Sequence, residues 1–313
     1  MKIVHLEPIG IEKEIQKQLE KEFNQKGHHI IFHDQRPRDD QEKIERIRDA
    51  EIIVVSNLPL NKEVLSSAPG LKMVSVAFAG VDHIDMEYCR ANQILVSNAA
   101  DYSTHSVAEL TFGMILSMYR KISWGDQQTR DLGGRNQFLG NELFGKTLGI
   151  IGLGRIGQQV AKIGLAFGLS VIAYNRSRKD IPGVTLTSLE SVLKKSDILS
   201  LHIPLTPETK GLIDQKELSL MKKEALLINT ARGPIVNYTA LASALSNKKL
   251  AGAALDVYEK EPPIDQDHPI LQAPNTLLLP HLGFATQEAI RKRSRIVMEN
   301  IRKWLKNKPQ NVM

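Results

Sequence analysis

Thr147-Leu148-Gly149-Ile150-Ile151-Gly152-Leu153-Gly154-Arg155-Ile156-Gly157 is the stretch whose reading decides the fold. Its first five residues form a short apolar run, the signature of a buried strand. Glycines then fall at 152, 154 and 157, and an apolar helical pattern opens with Ile156, Val160 and Ile163. A strand, a G-x-G-x-x-G turn and a helix in that order form a dinucleotide-binding fingerprint. One glycine makes the tight turn and another lets the backbone approach a pyrophosphate. The third lets helix and strand pack closely, and the helix N-terminus offers N–H groups to phosphate.

Working outward, the chain alternates short apolar runs with helical patterns on both sides. Before the fingerprint, Ile3–Leu6, His29–Phe32, Glu51–Val55, Leu71–Val76 and Ile94–Val96 read as strands. Between the first two, Ile11, Ile15 and Leu19 stand four apart on a helix face. After Ile151, strands are expected at Ser170–Tyr174, Asp197–Leu201, Ala225–Asn229, Leu250–Leu255 and Thr276–Leu279. Buried strands alternating with helices give parallel sheets. The fold class is therefore α/β, with two Rossmann-like parallel-sheet domains, an interdomain cleft and a chain that crosses between the domains twice. Residues 1–98 with 288–313 form the expected substrate-binding domain, and 99–287 the dinucleotide-binding domain. One long helix is expected from Ser103 to Trp124, followed by a Gly-rich loop at Asp131–Gly145, and a basic helix over Gln287–Lys306.

The acidic residue that grips the ribose 2′-hydroxyl of NAD normally ends the second strand of such a unit. Here Ser170–Tyr174 runs into Asn175-Arg176-Ser177-Arg178, with no carboxylate at the strand end. Two arginines beside a neutral Asn suit a 2′-phosphate. NADP is the preferred cofactor, with NAD the alternative.

Three groups further on suit one reaction. Arg232, Glu261 and His281 each follow an expected strand, in the segments Asn229–Gly233, Asp256–Pro262 and Pro280–Gly283. In open α/β sheets ligands bind outside the carboxyl ends of strands, so these three converge. A guanidinium holds a carboxylate through paired hydrogen bonds. An imidazole gives or takes an alcohol proton, and a carboxylate beside it fixes its tautomer. With a nicotinamide to carry hydride, these parts interconvert a 2-oxo acid and a 2-hydroxy acid. Spacing alone leaves Glu259 and Glu261 both open as the carboxylate.

Composition excludes other classes. The 313 residues include 42% hydrophobic and 24% charged residues and a single cysteine, Cys89. That is an ordinary globular composition with room for two domains, no internal disulfide and no Cys-rich metal site. No apolar run approaches the roughly 20 residues that span a bilayer, and the N-terminus lacks a signal-peptide pattern. A cytoplasmic protein that binds neither membrane nor metal is expected. The net charge of +6 favours small acidic molecules. The basic run Arg291–Arg295 reads as a solvated helix face, not a nucleic-acid site, because no aromatic residues interleave it.

The chain resembles the D-isomer-specific 2-hydroxyacid dehydrogenases. The resemblance rests on Ser75–Asp85 (SVAFAGVDHID), Ser103–Leu110 (STHSVAEL), the GLGRIG fingerprint, Leu201–Thr209 (LHIPLTPET), INTARG, LDVYEKEP and Pro280–Thr286 (PHLGFAT). It implies that Arg232 binds substrate, that Glu261 rather than Glu259 orients the base, and that His281 is the acid/base. It implies backbone contacts to the substrate carboxylate from Ala77, Phe78, Ala79 and Gly80. It places Gly152, Gly154, Arg155, Ile156, Gly157, Asn175, Arg176, Ser177, Ile203, Pro204, Thr230, Asp256, Thr104 and Val107 at the cofactor, Asp256 on the nicotinamide carboxamide. It further implies a homodimer joined through the long helix and the loop after it. Glyoxylate or hydroxypyruvate reduction is favoured. The uncharged segment Ser56–Leu60 argues against phosphoglycerate, and a branched 2-hydroxy acid is an alternative. A cofactor-sensing binding protein like the C-terminal-binding corepressors is the alternative of another class. Two departures from the family pattern stand out besides Asn175: Phe284 replaces a small residue, and Asn98–Asp101 lacks a proline.

Overall fold

The computed structural model describes residues 1–260 and 263–313. They form two compact units, Met1–Ser103 with Thr286–Met313, and Thr104–Ala285.

The first unit is built on five parallel strands: β1 (Lys2–His5), β2 (His29–Phe32), β3 (Ile52–Val55), β4 (Met73–Val76) and β5 (Leu95–Ser97), in the order β2-β1-β3-β4-β5. Strands β3 and β4 are buried along their whole length, which is why their sequences run apolar without alternation. The strand order reverses between β1 and β3, so the crevice at this sheet's switch point lies at their carboxyl ends. The helix Lys13–Asn24 buries Leu19 and Phe23, while Ile15 faces solvent, so the inward stripe lies one turn further along than Ile11 and Ile15 suggest.

The C-terminal helix Gln287–Leu305 belongs to this unit. Val297 accepts a bond from Ser75 Oγ (3.4 Å), and the fully buried Asn300 donates to the carbonyl of Asn98 (2.9 Å). The basic run is not a uniformly solvated face. Arg291 and Arg295 are exposed, but Arg293 is buried and donates to the carbonyl of Ile9 (2.9 Å).

The second unit carries seven parallel strands: β6 (Thr147–Ile151), β7 (Ser170–Tyr174), β8 (Val184–Leu186), β9 (Ile198–Leu201), β10 (Leu226–Asn229), β11 (Gly252–Leu255) and β12 (Thr276–Leu278). Their order is β12-β11-β10-β9-β6-β7-β8, a doubly wound sheet whose switch point lies between β6 and β9. The edge strand β8 is absent from the sequence expectation, since its three residues are half-exposed and include a threonine. The helix expected over Ser103–Trp124 is two helices, Thr104–Arg120 and Ile122–Arg130. Lys121 stands between them in the left-handed conformation (φ +51°) and ends the first.

Candidate active site

Strand β6 ends at Ile151, and Gly152 turns the chain with φ +99°. A side chain there would crowd the carbonyl carbon of His202, 2.7 Å away, just past the end of β9. A Cβ on Gly157 would run into the carbonyl oxygen of Gly152. Both glycines are therefore required by the close approach of turn, helix and neighbouring strand. The helix Arg155–Ala166 begins at Gly154 without any side-chain cap, and the space a Cβ on Gly154 would occupy is open. An uncapped helix N-terminus facing open space beside a glycine turn fits a dinucleotide pyrophosphate. Arg155 is exposed and Ile156 half-buried at the start of that helix. Ile203 is half-buried and Pro204 exposed beyond β9. Desolvation pushes the His202 imidazole down to about 3, so it stays neutral, with Nε2 2.8 Å from Ser200 Oγ.

The end of β7 is tied to the fingerprint. Asn175 Oδ1 accepts the backbone N–H of Leu153 (2.8 Å), and its Nδ2 donates to the Ser177 carbonyl (2.7 Å) and Oγ (3.2 Å). Asn175 thus occupies the strand-end position and keeps it neutral. Arg176, Ser177 and Arg178 are exposed beside it. Lys179, which the sequence reading did not single out, donates through Nζ to the carbonyl of Leu153 (2.9 Å). Its only signal in the sequence is that it is a third cation in the Arg176–Lys179 run. Asn175, Arg178, Lys179 and Thr187 line one cavity.

The remaining second-unit residues leave the sheet at the same edge, because β10, β11 and β12 are parallel neighbours. After β10, the buried side chain of Asn229 shapes the turn bearing Arg232. Its Oδ1 accepts the N–H of Ala231 (3.0 Å), and its Nδ2 donates to the carbonyl of Arg232 (3.0 Å). Asn229 is a positioning residue that sequence reading passed over as part of a motif. Thr230 is buried, its hydroxyl 3.2 Å from that of Thr111 on the helix Thr104–Arg120. Thr104 and Val107 are buried at the start of that helix.

After β11, Asp256 is only 1% exposed, and its carboxylate accepts the N–H groups of Leu282 (2.6 Å) and Gly283 (2.7 Å). Those residues follow His281, whose φ is +59°. Phe284 packs edge-on to the His281 ring, with centroids 5.2 Å apart and planes at 88°. Glu259 pairs with His268 Nε2 (2.8 Å). Glu261 lies outside the described residues.

In the first unit, the segment 77–80 follows β4. The N–H of Ala77 is donated to Val55 (2.6 Å), the Phe78 carbonyl accepts from Ala99 (2.9 Å), and the Ala79 carbonyl accepts from Asn98 Nδ2 (2.7 Å). Gly80 is half-buried. Among the described residues no cluster of ligating side chains suits a metal ion, and no helix is long and apolar enough to cross a membrane.

Comparison with known proteins adds to this geometry. Residues 112–283 match the family described as D-isomer specific 2-hydroxyacid dehydrogenase, NAD binding domain. The chain is 42% identical to D-3-phosphoglycerate dehydrogenase of Methanocaldococcus jannaschii over 273 residues, 85% of this chain and 52% of that one. It thus spans about half the length of that relative. It is 39% identical to glyoxylate reductase of Thermofilum pendens over 285 residues, 87% of this chain and 84% of that one. Among solved structures, an acyclic imino acid reductase in complex with NADPH and D-Arg superposes with a TM-score of 0.92 at 34% identity, covering 100% of both chains. D-lactate dehydrogenase of Aquifex aeolicus, complexed with NAD and lactic acid, gives 0.85 at 32% identity, covering 98% of this chain and 96% of that one.

Proposed function

The chain belongs to the D-isomer-specific 2-hydroxyacid dehydrogenases, and from that premise we propose that it reduces glyoxylate or hydroxypyruvate to the 2-hydroxy acid, with NADPH preferred over NADH. The observation that carries the reading is the common edge from which Arg232, Asp256 and His281 leave β10, β11 and β12. Arg232 binds the substrate carboxylate and polarises the keto group, since a guanidinium offers paired donors. The segment 77–80 contributes to the same carboxylate. His281 gives its proton to the carbonyl oxygen as that oxygen becomes an alkoxide, and Glu261 favours the protonated ring. A bound nicotinamide supplies the hydride to the keto carbon.

The dinucleotide preference rests on Asn175. A carboxylate at this strand end would repel a 2′-phosphate, whereas a neutral amide with Arg176 and Arg178 beside it attracts one. The NADPH bound to the imino acid reductase supports the same choice. The protein acts as a cytoplasmic homodimer, joined through the arm that follows the helix Thr104–Arg120, where Ile122, Leu132 and Leu139 stand exposed.

The test is a matrix of NADH and NADPH against glyoxylate, hydroxypyruvate, pyruvate, 3-phosphohydroxypyruvate and branched 2-oxo acids. Turnover of glyoxylate or hydroxypyruvate with NADPH, at kcat/KM about tenfold or more above the other pairs, is the expected result. Loss of at least 10²-fold in kcat in Arg232→Ala and His281→Asn is expected alongside it. Adding ammonia to the assay covers amino acid formation through an imine. No turnover of any 2-oxo acid would overturn the reading.

A further inference from the structure

The switch-point crevice of the five-stranded sheet is filled from within. Glu7, just past β1, is 2% exposed. Its Oε1 accepts three consecutive backbone N–H groups past β3, those of Ser56 (2.8 Å), Asn57 (3.2 Å) and Leu58 (3.3 Å). Its Oε2 lies 3.2 Å from Nε of Arg36, and Arg36 Nη2 donates to Asn57 Oδ1 (2.9 Å). The buried Arg293 faces the same carboxylate and reaches Ser56 Oγ at 3.4 Å. A run of backbone N–H groups closing on one anion is the geometry open α/β folds offer to a ligand phosphate or carboxylate. Here the protein supplies that anion itself. The neighbouring cavity lined by His5, Glu7 and Gln16, about 30 Å³, admits no more than water.

The consequence concerns Ser56–Leu60, the uncharged segment that meets the substrate side chain in the function proposed above, on which this step rests. The segment is held on its other side as well. Lys43, itself buried, donates to the Pro59 carbonyl (3.0 Å), and Leu60 donates to the His83 carbonyl (2.9 Å). The nearest partly exposed cation is therefore Arg36, and its charge is cancelled by Glu7. We propose that Glu7 sets the preference for acids with a single negative charge: it occupies the N–H nest at 56–58 and neutralises Arg36, so that a phosphate or second carboxylate on the substrate finds neither donors nor a free cation.

The test compares kcat/KM for 3-phosphohydroxypyruvate with that for hydroxypyruvate in the wild type, Glu7→Gln and Arg36→Gln. Specificity set by charge shifts in opposite senses when opposite charges are removed. In Glu7→Gln the ratio rises about tenfold, because Arg36 is released and the nest loses its anion. In Arg36→Gln it falls about threefold or more, because Glu7 is left without its partner. The KM for NADPH stays within about twofold in both, since the cofactor contacts lie in the other unit. A merely structural role for Glu7 would lower both activities in parallel and leave the ratio unchanged, which would overturn the inference. If Glu7→Gln does not fold, the exposed Arg36 decides: a fall in the ratio supports the inference and an unchanged or raised ratio removes it. Wild-type inactivity towards every acid removes the proposed function and this step together, whereas an active wild type with unchanged variant ratios removes this step alone.

Discussion

The carboxylate of Asp256 accepts the backbone N–H of Gly283 at 2.7 Å, two residues beyond His281. Its second oxygen accepts the N–H of Leu282 at 2.6 Å. His281 itself sits at φ +59°, a conformation that costs a non-glycine residue about 1–3 kcal/mol and persists only where its surroundings hold it. Two charge-assisted bonds from a buried carboxylate provide that hold. Gly283 is needed for the approach, since a Cβ there would come within 3.0 Å of Asp256 Oδ2. The strand end that carries Asp256 thereby fixes the backbone from which the His281 ring projects.

Asp256→Asn replaces one acceptor oxygen with an NH2 group that would face a backbone N–H. Hydrogen bonds to charged groups contribute about 1.5–3 kcal/mol, so kcat is expected to fall about 10- to 100-fold. If the loss comes from a misplaced His281, the dissociation constant of NADPH, read by fluorescence titration, changes less than about threefold. A large rise in that constant with kcat intact would mean that Asp256 serves the cofactor instead.

The arm after Lys121 presents Ile122 (54% exposed), Leu132 (96%) and Leu139 (79%) to solvent. Trp124 packs on Phe138 within the same segment, with ring centroids 5.3 Å apart. Apolar side chains grouped this way on a surface mark an interaction site. Leu132→Glu with Leu139→Glu is expected to convert a dimer into monomers in sedimentation velocity while far-UV circular dichroism stays unchanged. A single monomeric species in the unaltered protein would remove the dimer proposal.

Much of this architecture is legible in the chain because its strands are short unbroken apolar runs, and such runs are the mark of a sheet buried on both faces. The glycines at 152 and 157 are equally legible, since backbone contact leaves no alternative residue at either position. What escapes the sequence is what tertiary contacts decide. The periodicity of Ser103–Trp124 continues past Lys121, and no Gly or Pro marks the left-handed turn there. The edge strand β8 is too short and too polar to register. Arg293 and Glu7 look like solvated charges until the helix Gln287–Leu305 and the Ser56–Leu58 turn close over them. Asp256 is recognisable within a motif, but its bonds to Leu282 and Gly283 cross from one strand end to another and leave no local trace.

His5, at the end of β1, is buried with both ring nitrogens lacking a partner among the described residues, its ring 4.3 Å from that of Phe32. Desolvation lowers its pKa from 6.5 to about 3. The folded protein therefore keeps this imidazole neutral at pH values where the unfolded chain protonates it. Below pH 6.5 the unfolded state binds the extra proton, so the contribution of His5 to stability is intact above 6.5 and is lost as pH falls towards 3. The slope approaches about 1.4 kcal/mol per pH unit. His5→Leu removes both the titration and the unsatisfied nitrogens at similar volume. It is expected to be neutral or stabilising at pH 7.5, and its advantage in urea unfolding should widen by about 1 kcal/mol or more between pH 6.5 and 5. Glu22, whose pKa is lowered from 4.5 to about 2 by its pairing with Arg302, loses its contribution only below that interval and does so equally in both proteins. Parallel stability curves for wild type and variant over this range would show that His5 titrates alike in the folded and unfolded states.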